Sequence, residues 1–467
     1  MLFNSYSFLI FFLAVLGVTR LLPARHRASF LLGASLLFYF SWIPAYLILL
    51  LFAICVNYGL VRLLAHEGHK RWAVSLSVVF PLALLAYYKY AAFLVATALS
   101  LAPLSPDGEA ALPEILLPLG ISFYTFQIVA LNVDIYRGKI EPIKSFREYA
   151  LFVCFFPQLI AGPILRGSQL LPQIHRGGEP TAERTRRGLW LITAGLAKKV
   201  LLADVLLSPF VDRVFAAPGF VSAPEHLLAV YSFAFQIYFD FSGYTDMARG
   251  LALLLGFELP LNFKEPYFSR NPAEFWRRWH ITLSQWLRDY LYISLGGNRR
   301  GQSRTQVNLM LTMLLGGLWH GAAWNFVIWG GLHGVLLAAH RALPNASADE
   351  SEEVGWRDVW KILLLFHAVC LLWIFFRAPD FASAMAVLGR LMTWDYSATW
   401  PVLQCLVIGL CVALHGIERL ARVHLPALRE SLGGIFGGAV EATVMGVVVA
   451  LVILFGGSGG EFIYFQF

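Results

Sequence analysis

The sequence predicts an all-α, polytopic membrane protein, a single membrane-embedded domain over residues 1–467 with re-entrant and interfacial helices beside its spans. Three observations carry that prediction. Charged residues make up 14% of the chain and hydrophobic ones 58%, whereas a soluble domain carries about 25% charged residues. Apolar runs long enough to approach the roughly 20 residues of a span recur from end to end. Between them no stretch is long enough for a folded soluble domain. In lipid every backbone polar group must be satisfied within the chain, which leaves helices as the spanning element for runs of this length.

The first run, 4–22, lacks the positive flank and small-residue cleavage site of a signal peptide and reads as a retained span. Runs follow at 29–45, 46–61, 72–88, 90–103, 115–136, 149–165, 187–208, 227–256, 305–320, 322–341, 358–376, 400–418 and 437–456. Several are short or broken by Gly and Pro, so about ten to twelve crossings are expected. The basic segments "RLLPARHR" (20–27) and "RLLAHEGHKR" (62–71) lie two spans apart, on one side, by charge bias the cytoplasm. The acidic "SPDGEAALPE" (105–114) and "SADESEE" (347–353) then fall outside, and "RGKIEPIKSFRE" (137–148) inside. The run 149–165 ends in "FFPQLIAGPIL" and is followed by the strongly basic 166–187. Pro157 and Pro163 remove backbone donors, so this run is expected to be re-entrant, returning to the cytoplasmic side. Beyond residue 376 the charges fit either orientation. The net charge of +7 sits in short loops, which fits anionic lipid headgroups rather than nucleic acid. The five cysteines lie in apolar runs without zinc-ligand spacing, so they read as packing residues and no metal is expected.

Four stretches carry polar residues at membrane depth. In "LPLGISFYTFQIVALNVDIYRG" (117–138), Gln127, Asn132 and Asp134 read as glue between helices. In "QIYFDFSGYTDMARG" (236–250), Asp240, Asp246 and Arg249 form either an internal network, with Asp246 and Arg249 at pairing distance, or a polar wall. In "NPAEFWRRWHITLSQWLRDYLYISLGGNRRG" (271–301), Phe275, Trp279, Leu283, Trp286, Leu287 and Tyr290 recur at helical spacing between Pro272 and Gly296-Gly297. That predicts one basic amphipathic helix at the cytoplasmic surface. His280 is tucked to its apolar side, and Arg278 and its neighbours are suited to phosphates such as those of coenzyme A.

The fourth stretch, Thr305 to His340, is uncharged over 36 residues. As one helix it would be about 54 Å long, too long for one crossing. A break is required, and Gly316-Gly317 and Gly321 supply it, leaving His320 at the junction of two segments. An imidazole retained there points to chemistry. His340, near the interface, reads as packing, and His333 fits either role. No phosphate-binding loop, HExxH or serine elbow is present. Histidines among buried aromatics suit general-base removal of a hydroxyl proton during attack on an acyl thioester.

The motifs "FFPQLIAGPI", "DFSGYTDMARG", "FWRRWHITLSQWLRDYLYISLGGNRRG", "GGLWHGAAWNFVIWG" and "FIYFQF" resemble, in order and over nearly the whole chain, the membrane-bound O-acyltransferase family, in particular its bacterial branch that acetylates alginate and related polymers. The resemblance implies helices around a central tunnel open to both sides, with His320 and His280 matching the family's two functional positions. It implies acetyl-CoA as donor substrate with no bound cofactor, and a place in the bacterial inner membrane. It also implies an exopolysaccharide or cell-wall glycan as acceptor, reached through a periplasmic partner of the SGNH-hydrolase-like type. Trp279, Trp319, Asn325, Asp240 and Arg278 are the candidates to line the substrate path. Two alternatives stay open: transfer of D-alanine or another acyl group from a carrier-protein thioester, and a non-enzymatic channel or transporter.

Overall fold

The computed structural model describes all residues except 2, 66, 67, 69, 102–114, 344–354, 394–397, 432–433, 457–461 and 464–467. Both acidic segments placed outside by the charge-based orientation, 105–114 and 347–353, lie outside the described residues. What is described is helical, joined by turns, and the chain is an all-α, multi-pass membrane protein. Among the described residues five helices are long and apolar enough to cross a membrane by themselves: Pro44–Leu63, Lys70–Ser100, Val359–Arg377, Val402–Arg422 and Gly437–Phe455. Tyr6–Leu21 and Phe381–Met392 are apolar but shorter. The runs around 236–250 and 305–341 fall outside that set because they carry the polar groups and the break discussed below.

The residues group into two compact units, Met1–Ile192 with Ala248–Pro260, and Thr193–Met247 with Leu261–Phe467. In the first unit Asn132 is bonded to its neighbours at membrane depth, whereas neither side-chain polar atom of Gln127 has a hydrogen-bond partner among the described residues. The Asn132 amide donates to Asn57 Oδ1 at 3.2 Å, and the Tyr149 hydroxyl donates to Asn132 Oδ1 at 3.4 Å. That is the interhelical bonding expected of amides in an apolar bundle. The proline-broken run behaves as its sequence requires. The helix Phe146–Cys154 stops, Phe155 leaves helical geometry, and Pro157 sits in the first turn of the short helix Phe156–Leu159, where its missing donor costs nothing.

In the second unit, the required break in the uncharged stretch is present. One helix runs Gln302–His320, Gly321 is extended, and the next runs Trp324–Ala342. The break falls at 321–323 and not at Gly316-Gly317, which stay helical. Those glycines serve packing instead. A Cβ on Gly317 would meet the Phe326 carbonyl oxygen and the Gly330 Cα, and one on Gly330 would meet the Met313 carbonyl oxygen. The two helices thus touch backbone to backbone, the close approach that small residues permit in membranes. Gly330→Val should overpack this contact and cost about 1–3 kcal/mol, read as a lower melting temperature in detergent. An unchanged melting temperature would mean that the helices do not pack this way.

The predicted surface helix 271–301 is corrected. Its apolar stripe is buried as expected, Phe275, Trp279, Leu283, Trp286, Leu287 and Tyr290 included. It is not one helix, however: Pro272–Arg278 ends at Trp279, and Ile281–Trp286 begins after His280. Nor is its first half at the surface, since Glu274, Arg278 and His280 are also buried.

Candidate active site

The break at His280 is built by chain pairing. The Lys264 N–H donates to the Arg278 carbonyl at 2.9 Å and the Ile281 N–H donates to the Asn262 carbonyl at 2.9 Å. These two bonds lay 262–264 alongside 278–281 and replace the helical bonds that continuation would have made. The cost is local. His280 takes φ 42° and ψ 55°, and Glu265 takes φ 36°. They are the two non-glycine residues with positive φ among those described, and such conformations persist only where surrounding contacts impose them. For Glu265 one such contact is Arg422, 2.5 Å away.

His280 and His320 come together. Their ring centroids lie 6.4 Å apart, and both side chains are buried. Trp319 joins them, 6.1 Å from His280 and 5.0 Å from His320. Trp329 and Phe376 complete the wall around His320 at 5.1 and 5.5 Å. His333 is reached through Trp329, 4.8 Å away, and stacks on Phe275 at 5.9 Å. Phe241 stands edge-on to His280 at 4.8 Å. Three histidines, two from helices and one from the break between two short helices, therefore share one aromatic cluster. A break positions two of them: the one at 321–323 ends a helix at His320, and the pairing with 262–264 turns His280 inward.

The other candidates divide. Trp279 is fully buried between Phe263 and Trp373, both 5.0 Å away. Asn325 donates to the Ala378 carbonyl at 3.0 Å, which ties two helices together. Arg278 bonds Glu274 at 2.7 Å, and Arg270 reaches the same carboxylate at 3.1 Å. Asp240 pairs with Lys199 at 2.7 Å and accepts the Ile463 N–H at 2.7 Å. It belongs to an internal network, with the neighbouring Phe241 facing His280. Asp246 takes Lys198 as a partner at 2.8 Å, and Lys198 also meets Glu418 at 2.5 Å. These two lysines were missed, though "AKK" inside the apolar run 187–208 was a readable signal. Also unforeseen was the C-terminal Phe462, stacked on Tyr244 at 4.6 Å and 5.6 Å from Phe241. Among the described residues no cluster of ligating side chains could hold a metal.

Burial pushes the His280 imidazole down from 6.5 to about 3. The folded protein thus keeps it neutral where the unfolded chain binds a proton. Its contribution to stability is present above pH 6.5 and is lost as pH falls toward 3. The melting temperature should fall between about pH 7 and about pH 5, and His280→Gln should make that fall shallower. Parallel melting curves for the two proteins would contradict the buried, neutral assignment.

A buried imidazole pair, of which His280 is held neutral, with indole and phenyl walls can move a proton and exclude water. Comparison with known proteins identifies the family. Residues 138–350 match the model of the membrane-bound O-acyltransferase family, a range that includes both His280 and His320. The chain is 36% identical, over the whole of both chains, to a probable alginate O-acetylase of Azotobacter vinelandii. It is 40% identical to a probable alginate O-acetylase of Pseudomonas aeruginosa, over 85% of this chain and 76% of that one. A peptidoglycan O-acetyltransferase of Helicobacter pylori is 38% identical over 83% of this chain and 79% of its own. The chain belongs to the membrane-bound O-acyltransferase family and is an O-acyltransferase.

Proposed function

We propose that the protein is an O-acetyltransferase of the bacterial inner membrane that passes acetyl groups from cytoplasmic acetyl-CoA across the bilayer for O-acetylation of an exopolysaccharide or cell-wall glycan. The observation that carries this reading is the buried His280–His320 pair, 6.4 Å apart in a wall of aromatic rings. His320 is the general base. It takes the proton of an attacking hydroxyl, the hydroxyl oxygen bonds the acetyl carbon, and the carbon–sulfur bond breaks. The proton then passes to the departing thiolate, so that free coenzyme A leaves. His280 orients the thioester. Trp279 and Trp319 line the path, and the other candidates hold it in shape: Asn325 and Asp240 through their bonds to the protein, and Arg278 through Glu274. The relatives named above support an acetyl group and a glycan acceptor over D-alanine and teichoic acid.

The chain does not finish the reaction alone. Recognition of a long polar polymer needs an extracytoplasmic surface, and the connecting segments near 104–114, 209–226 and 342–357, the second of them helical over Ser208–Ala216, are each too short for a folded domain. A periplasmic SGNH-like partner receives the acetyl group on a serine and hands it to the glycan. Reconstitution in liposomes tests this, with acetyl-CoA on the cytoplasmic side and glycan on the other. Little glycan acetylation is expected until the partner is added. Efficient acetylation without it would overturn the relay.

A further inference from the structure

Asn262 holds the key to which nitrogen of His280 faces the substrate. Its Oδ1 accepts the Thr282 backbone N–H at 3.2 Å and the Thr282 hydroxyl at 3.0 Å. A backbone N–H only donates, so the amide atom turned toward it must be the oxygen. His280 Nδ1 lies 3.2 Å from that same oxygen. An oxygen accepts, so Nδ1 must carry the proton, and in a neutral imidazole Nε2 is then a bare lone pair. His280 and Asn262 are both essentially inaccessible to solvent. His280 Nε2 has no hydrogen-bond partner among the described residues, and neither has Asn262 Nδ2. The left-handed backbone at His280 and the paired segment 262–264 hold this geometry in place.

We propose that Asn262 is a positioning residue for acyl transfer, fixing His280 as the Nδ1–H tautomer so that Nε2 meets the substrate as an acceptor. This rests on the acyltransferase site proposed above and refines it. A lone pair cannot donate to an oxyanion, so that role is closed to His280. The substrate group opposite it must be a donor, and the amide N–H groups of the pantetheine arm of an acyl thioester are of that kind.

Nitrogen-15 NMR of histidine-labelled protein in nanodiscs reads the tautomer directly, with His280→Gln to assign the signals. The wild type should show a protonated Nδ1 and a bare Nε2 at His280, whether or not transfer is measured. Asn262→Ala should mix the tautomers and slow acetyl transfer roughly 10- to 100-fold, as loss of an orienting partner does. Asn262→Asp still accepts from Nδ1–H and from Thr282, and should restore most of both readouts. A protonated Nε2 in the wild type would overturn the proposal, as would an Asn262→Asp protein no better than Asn262→Ala in both readouts. If Asn262→Ala fails to fold, the wild-type spectrum and the Asp variant decide. Failure of the acyltransferase reading looks different: the tautomer stands as stated, and no transfer responds to His320→Ala.

Discussion

His320→Ala should lower acetyl transfer by about 10²–10⁴-fold, the usual loss of a general base, while the protein still inserts and accumulates. The imidazole sits at the last position of the Gln302–His320 helix, packed edge-on against Trp319, Trp329 and Phe376. Its removal opens a small gap among rings held by other contacts, such as the stacking of Trp329 on Trp373 at 5.6 Å. His320→Gln should fail as well, because an amide has the bulk and polarity but takes no proton. His333→Ala should do less harm. It belongs to the same cluster, yet it reaches His320 only through Trp329. The check is initial rate per folded protein in membranes, with folding judged by monodisperse elution in detergent.

The second large effect concerns stability. Glu274 is buried and holds two buried guanidiniums, Arg270 at 3.1 Å and Arg278 at 2.7 Å. It also accepts the Arg270 backbone N–H at 2.8 Å. Burial alone pushes its carboxyl up, but the Arg270 N–H, the Arg270 guanidinium and Arg278 outweigh that and hold it below the ordinary value. Its contribution is therefore present at neutral pH and lost as pH falls through the lowered value. Glu274→Ala takes the shared carboxylate from two buried arginines and leaves Arg270 with Asp358 at 3.7 Å, which should cost about 3 kcal/mol. Glu274→Gln, keeping the shape, should cost less. Thermal unfolding in detergent at neutral pH measures both. A Glu274→Ala protein as stable as the wild type would mean that the arginines reach solvent or another acid. Because Arg278 precedes the His280 break, transfer should fall along with stability.

The sequence announced His320 through arithmetic: an uncharged run about 54 Å long as a helix cannot fit one crossing. It did not say which glycines break the run. Gly317 and Gly321 look alike in sequence, yet one lets a neighbouring backbone approach and the other leaves helical geometry. The break at His280 was hidden altogether. "FWRRWHITLSQWLRDY" has unbroken helical spacing and no glycine or proline, and the pairing with 262–264 that turns the chain comes from residues about 17 positions upstream. Local propensity lost there to tertiary contact. Arg278 illustrates a different limit. Its charge was legible as anion-binding capacity, but a sequence does not show that Glu274, one helical turn earlier, already faces it. Asn262 carried no signal either, since an asparagine before a phenylalanine in a loop is common, and its meaning lies in the three donors that converge on one oxygen.

The most direct test of the central claim is acetyl transfer from labelled acetyl-CoA by the purified protein in liposomes, in the presence of its periplasmic partner, with wild type and His320→Ala compared. The account predicts label on the partner and then on the glycan with the wild type, and at most about one hundredth of that rate with the variant. Equal labelling by the two proteins, or labelling only from a carrier-protein thioester and never from acetyl-CoA, would contradict it.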